Sequence, residues 1–162
     1  MKTFICILVF LGVLSGCVDK NISPVVLRGK LNEEFTLQPH QTILLTRQAD
    51  GEKVNPAEVI TVKILEAVDN TCPKDFQCIT AGNVKIDISV AKEGTATQTV
   101  YFCSGAGCAL NVRTGLPYGS DTAEFRIENE QYAAYLRQVT SLGKKGGRPN
   151  EVQRVTILIE EK

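Results

Sequence analysis

The sequence predicts an all-β domain, an antiparallel β-sandwich or small barrel, on three observations. Runs rich in β-branched residues alternate with polar ones at period two rather than 3.6. Turn signals recur about every ten residues, the spacing of many short strands. No repeat of solenoid length and no Pro- or Gly/Ser-rich linker divides the chain, so one domain is expected over residues 25–162.

The strands follow in order. Residues 33–38 form a short strand stopped by Pro39, and residues 41–47 form another. Asp50-Gly51 and Asn55-Pro56 then mark turns. Over residues 58–66, Ile60, Val62 and Ile64 face one side and Thr61 and Lys63 the other. Residues 84–90 alternate without a fault, with Val84, Ile86, Ile88 and Val90 opposite Lys85, Asp87 and Ser89. Lys92-Glu93-Gly94 reads as the turn of a hairpin leading into residues 97–102. Glycines and prolines in 115–119 and 143–149 break up the second half. Residues 154–160, with Val155, Ile157 and Ile159 on one face and no Gly or Pro, read as a strand paired inside a sheet. One segment conflicts with this scheme. Within 130–142, Tyr132, Tyr135, Leu136 and Val139 fall at i, i+3, i+4 and i+7, a helical stripe. A regular strand would place Leu136 and Val139 on opposite faces, so periodicity alone predicts a helix there.

The chain opens with Lys2, an apolar run from Phe4 to Val13, and Leu14-Ser15-Gly16-Cys17. The run is too short and too sharply ended to span a membrane as a helix, and reads as an export signal. Its closing tetrad resembles the lipobox of bacterial lipoproteins. That resemblance implies cleavage before Cys17, with residues 1–16 removed, Cys17 lipidated and 17–24 forming the lipidated cysteine and a short tether. Two or more acyl chains, as such lipoproteins carry, anchor a protein stably where one chain does not. Val18 rather than Asp follows Cys17. By the sorting rule of enterobacterial lipoproteins, this implies a cell-envelope protein anchored at the outer membrane, its periplasmic or surface face left open.

Removing residues 1–16 from 162 leaves 146, with 17 Lys plus Arg against 18 Asp plus Glu. A chain of that size buries roughly 70 % of its unfolded surface. A near-neutral charge supplies none of the positive field that nucleic-acid binding requires, so no nucleic-acid partner is expected. Four cysteines remain beyond Cys17: Cys72, Cys78, Cys103 and Cys108. An even number in an exported chain reads as disulfides, and four cysteines allow three connectivities that sequence does not separate. The local pairs, Cys72–Cys78 and Cys103–Cys108, are the expectation, since each closes a short Gly- or Pro-containing loop. Each would contribute about 2 kcal/mol on the chain-entropy account.

Cys72-Pro73, Cys78 and Ala81-Gly82-Asn83, followed at once by an alternating strand, resemble a group of small uncharacterised bacterial lipoproteins. Their pattern is Cys-Pro, four residues, then Cys-x-Trp-Ala-Gly-Asn. Thr80 stands here where Trp is usual, and Thr71 where Arg is usual. The resemblance implies an exported all-β domain with a disulfide-closed Cys-Pro loop, no catalytic residues to transfer, and a strand rather than a helix over 130–142. The Cys103–Cys108 pair lies outside that pattern.

The chemistry-bearing residues are sparse. His40 is the only histidine, set between Pro39 and a strand, and reads as an exposed turn residue rather than a base. No Gly-x-Ser-x-Gly nucleophile turn occurs, and Cys103-Ser104-Gly105 reads as part of a disulfide loop. Four thiolates could hold zinc, but structural zinc prefers pairs two to four residues apart, and export disfavours free thiolates. Neither pair has the Cys-x-x-Cys spacing of redox sites. Gly105 and Gly107 could cradle a phosphate only if a helix followed, and 109–113 reads as extended. Asp75, Glu124 and Glu128 are the carboxylates available to an acid–base pair. Lys144, Lys145 and Arg148 form a small basic loop. With no Trp and ten Phe plus Tyr in all, a sugar-stacking platform is poorly supplied.

The reading is a membrane-anchored lipoprotein held through lipid on Cys17, acting as a non-enzymatic binding or accessory module. No cofactor or metal is expected. Its partner is an envelope protein or glycan of unknown identity, met by the two cysteine loops, with Phe76 as the contact residue. The alternatives are a carboxylate-dependent envelope hydrolase and a purely structural envelope protein.

Overall fold

The computed structural model describes residues 25–47, 55–72, 77–79, 81–106, 108, 121–143 and 150–162. The export signal, Cys17 and its tether, Asp50-Gly51, Asp75, Phe76, Gly107, 109–113, 115–119 and the basic residues of 144–149 lie outside them.

Nine strands among the described residues form two sheets. The first has five strands in the order β1 (Val26–Lys30), β3 (Thr42–Thr46), β4 (Ile60–Asp69), β5 (Asn83–Lys92) and β6 (Gln98–Gly105). The second has four, in the order β2 (Glu34–Leu37), β9 (Glu151–Glu161), β8 (Glu130–Leu142) and β7 (Thr122–Ile127). The architecture is thus the all-β sandwich that the alternation predicts. The inward faces form one core in which Leu37, Leu45, Ile60, Val62, Ile86, Ile88, Val90, Phe102, Tyr132, Val155, Ile157 and Ile159 are fully buried. Each such aliphatic side chain contributes roughly 1.5–3 kcal/mol of burial.

One pair departs from the antiparallel expectation. β1, which the sequence reading did not assign, runs parallel to β3, with Val26 opposite Thr42 and Lys30 opposite Thr46. Parallel neighbours need a crossover, and β2, lying in the other sheet, provides it. Tight turns join these strands. Pro39 and His40 occupy a turn closed by a 3.1 Å bond from Gln41 N–H to the Gln38 carbonyl, with His40 at φ 72.

Over 130–142, where periodicity alone favours a helix and the lipoprotein resemblance implies a strand, the segment is a strand, β8, paired to β7 and β9. The helical stripe comes from a bulge. Leu136 pairs with Ile157 and Gln138 with Thr156, so Arg137 is an extra residue with no partner on β9. That insertion returns Val139 to the side of Leu136, and both pack against the core. A bulge inside an alternating strand mimics part of a helical stripe. β4 carries a similar shift at Leu65, after which Ala67 and Asp69 rather than even-numbered residues face inward.

Candidate contact surface at the disulfide end

The two ends of the sandwich differ in chemistry. At one end β4, β5 and β6 run past the shorter strands and carry both cysteine pairs. Asp69, at the end of β4, is 94 % buried by its 6 % exposure and bridges to Asn150, immediately before β9. The Asn150 N–H donates to the Asp69 carbonyl at 2.7 Å, so this point ties the two sheets together. The Asp69 carboxylate accepts from the Thr71 backbone N–H at 2.8 Å and from the Thr71 hydroxyl at 2.5 Å. Asn150 Nδ2 donates in turn to the Thr71 carbonyl at 3.1 Å. Burial pushes the Asp69 carboxyl up, but Thr71, Ser141 and Asn150 together outweigh it and hold the group below its usual range. Ser141 faces inward by alternation from Val139, although its hydroxyl lacks good hydrogen-bond geometry.

Beyond Asp69 three backbone segments crowd together. Asn70 N–H donates to the Asn83 carbonyl at 2.8 Å, Cys72 N–H to Ala81 at 3.1 Å and Ala106 N–H to Gly82 at 2.8 Å. Gly82 adopts φ +74, and a Cβ there would overlap the Asn70 carbonyl. Gly105, at φ +105, would put a Cβ 2.6 Å from the Gly82 carbonyl oxygen. Asn83 Nδ2 then donates to the Ala106 carbonyl at 2.8 Å. Ala81-Gly82-Asn83 therefore has a structural explanation. Glycine supplies a backbone conformation and a close approach that no other residue meets, and asparagine laces the second cysteine loop to the first.

The disulfides close the loops that leave this base. Cys72 is joined to Cys78 with Cα atoms 5.9 Å apart, and Cys103 to Cys108 with Cα atoms 5.5 Å apart. Local pairing is thus the connectivity, and no four-thiolate arrangement is formed. Cys103 faces the outer side of β6 opposite Lys85, yet it is fully buried. Next to Cys78, Ile79 projects into solvent at 105 % exposure. Leu142 is also exposed, where β8 finishes at the same end of the sandwich.

The opposite end is closed by ionic groups. Lys92 continues the inward series Val84, Ile86, Ile88, Val90, and its side chain is only 5 % exposed. It pairs with the Glu130 carboxylate from the facing sheet. Tyr132, fully buried and stacked on Phe125 with centroids 5.4 Å apart, donates its hydroxyl to the same carboxylate at 2.6 Å. Arg47 reaches Glu130 and Glu161 at 2.7 Å each. Bonds from Lys92, then Tyr132 and Arg47, hold the Glu130 carboxyl down to about 2. Burial pushes Lys92 down, but the bonds and charges of Glu130 and Tyr132 together outweigh this and raise it; Tyr132 is raised by burial and by the Glu130 bond. Lys92 stays protonated and Glu130 ionised throughout the neutral range, a lock between sheets rather than a proton-transfer pair.

Of the residues singled out in sequence, the structure brings Cys72, Cys78, Cys103 and Cys108 to one end. His40 is exposed in its turn and belongs to neither cluster. Glu124 pairs with Lys162, which lowers its carboxyl, and Glu128 sits exposed at φ 56 in the β7–β8 turn. Cys17, Asp75 and Phe76 lie outside the described residues. Sequence reasoning missed the Arg47–Lys92–Glu130–Tyr132–Glu161 network. Its legible signal was a lysine at the next inward position of a faultless alternating strand. No family model matches this chain, and no curated protein and no solved structure matches it at a significant level.

Proposed function

We propose that this protein is a lipid-anchored lipoprotein of the bacterial cell envelope, a non-enzymatic binding or accessory module that meets its partner with the disulfide end. The observation that carries this reading is the construction of that end. Two cross-linked loops stand side by side on a base laced by Gly82, Asn83 and Gly105, and Ile79 is presented fully exposed beside Cys78. An apolar side chain held out from a rigid base loses little entropy on binding and gains the burial of its whole surface. Phe76 belongs to the same Cys72–Cys78 loop in sequence and is proposed as the second apolar contact. The ionisable groups of the two ends support the same reading. Asp69 and Glu130 are held ionised by the donors around them, which makes them weak proton acceptors at neutral pH. The partner is an envelope protein or a glycan.

The test is mass-spectrometric peptide mapping of protein from native membranes, followed by cross-linking in intact cells. Acylated Cys17 and a saturable cross-linked partner lost in Ile79→Asp and in Phe76→Ala, at unchanged thermal stability, are expected. Partner capture that survives both substitutions overturns the assignment of the disulfide end. Loss of partner on neutralising Glu124 or Glu128 instead would favour a carboxylate-dependent activity.

A further inference from the structure

The outer face of the first sheet has an apolar and basic patch beside the point where the chain enters the fold. Leu27 packs against the core, so Val26 and Arg28 point outward from β1. Cross-strand register places Val26 beside Thr42 and Lys63, and Arg28 beside Leu44 and Thr61. Alternation turns Leu65 outward next to Lys63 along the same strand, and the β4 bulge keeps Glu66 outward after it, opposite Asp87 at the border of the patch. Val25, Val26 and Leu65 are 52 %, 53 % and 53 % exposed, three of the five large exposed apolar side chains among the described residues. Arg28 and Lys63 are exposed and form no ion pair among the described residues. The outer face of the second sheet carries the ion pairs Glu34–Arg137 and Glu124–Lys162 beside the exposed Arg126 and Arg154.

We infer that this patch, formed by Val26, Arg28, Lys63 and Leu65 with the exposed Val25 at its edge, rests on the anionic headgroup surface of the membrane that holds the protein. The inference rests on the lipid-anchor reading above. Chain reach supports it. From Cys17 to Val25 there are eight residues, spanning at most about 29 Å. The ten residues of β4 extend about 33 Å, so the tether is no longer than the domain itself. The face beside β1 is therefore confined near the bilayer and meets it at high effective concentration. Unpaired Arg28 and Lys63 supply attraction to anionic headgroups, and the valines and Leu65 supply shallow apolar contact. Laid this way, the disulfide end projects sideways along the membrane, since it lies at the far end of β4 and not on its outer face.

The experiment uses the full lipidated protein in vesicles of phosphatidylcholine and phosphatidylglycerol, the latter carrying a photoactivatable group in its headgroup. Flotation of the vesicles and the mass of the Cys17 peptide are read on the same sample. Cross-links are expected in 25–30 and 61–66 several-fold above those at Gln138, Thr156 and Glu160 on the second sheet. Arg28→Gln and Lys63→Gln should each lower the yield at the patch about five-fold without impairing flotation. A chain with unmodified Cys17 that does not float fails the anchor reading, and the inference falls with it. A chain that floats but is cross-linked equally on both faces, or is indifferent to Arg28→Gln and Lys63→Gln, overturns the inference alone.

Discussion

The two ends of this sandwich solve the same problem with opposite chemistry. Each must close the gap between sheets where the alternating core runs out. At the Glu130 end closure is electrostatic: one carboxylate collects a lysine, a tyrosine hydroxyl and an arginine from elements on both sheets. At the Asp69 end closure is covalent and conformational, with two disulfides, two glycines at positive φ and a backbone bridge. The ionic end pairs each charge of its network, whereas the covalent end leaves Ile79 and Leu142 in solvent. A surface for recognition is expected where closure leaves side chains unspent, and only the second end does so.

The comparison breaks most sharply at Glu130. Glu130→Ala strands the buried Lys92 ammonium and should destabilise the fold by about 2–4 kcal/mol, near the lower part of the range for buried pairs because the carboxylate is partly exposed. Lys92→Met on that background should recover most of the loss, as read by urea denaturation of the single and double variants; no recovery would place the cost elsewhere. Next in size is Gly82→Ala, which forces a side chain into the Asn70 backbone at positive φ and should cost about 2–3 kcal/mol. A midpoint unchanged from the wild-type chain would refute the close packing described there. Opening the Cys72–Cys78 loop with paired serines should cost about 2 kcal/mol, and reduction should weaken the covalent end while leaving the ionic end intact.

Acid should act on the two ends together. Glu130 is depressed from 4.5 to about 2, so its stabilisation is complete above its unfolded value and is lost as pH falls through the folded one. Asp69 is depressed in the same direction. Wild-type stability should therefore decline between roughly pH 4.5 and 2, and Glu130→Gln should flatten that decline without abolishing it, Asp69 supplying the remainder. A profile identical to wild type would show that Glu130 does not titrate as its bonds require. Ile79→Ala should have the smallest effect on stability, within about 0.5 kcal/mol, because the side chain touches solvent alone.

How far the sequence reaches differs between the same two ends. Faultless alternation in 84–90, and Val155, Ile157 and Ile159 on one face of 154–160, made β5 and β9 plain, because a half-buried strand leaves its periodicity in the residues themselves. β8 was misread in periodicity because Arg137 adds one residue, and one inserted residue shifts every later side chain by half a period. β1 was missed because its pairing is parallel and distant, and five residues with a glycine in fourth place carry little pattern. The disulfide end was legible as cysteine spacing. The roles of Gly82 and Asn83 were not, since both depend on three segments meeting in space. The ionic end was written in fragments over more than a hundred residues of chain, and only Lys92 in an inward position announced it.

The parallel pairing of β1 has a mechanical consequence. Any tension arriving through residue 24 enters the fold at Val25 and loads the five β1–β3 pairs before any other ladder. β1 lies at a sheet edge, and Gly29 gives it almost no side chain wedged between Ile43 and Leu45. Under load it is therefore the strand that peels first, lengthening the leash by several residues while the eight remaining described strands keep their order. The edge strand acts as a fuse between any pull on residue 24 and the folded body.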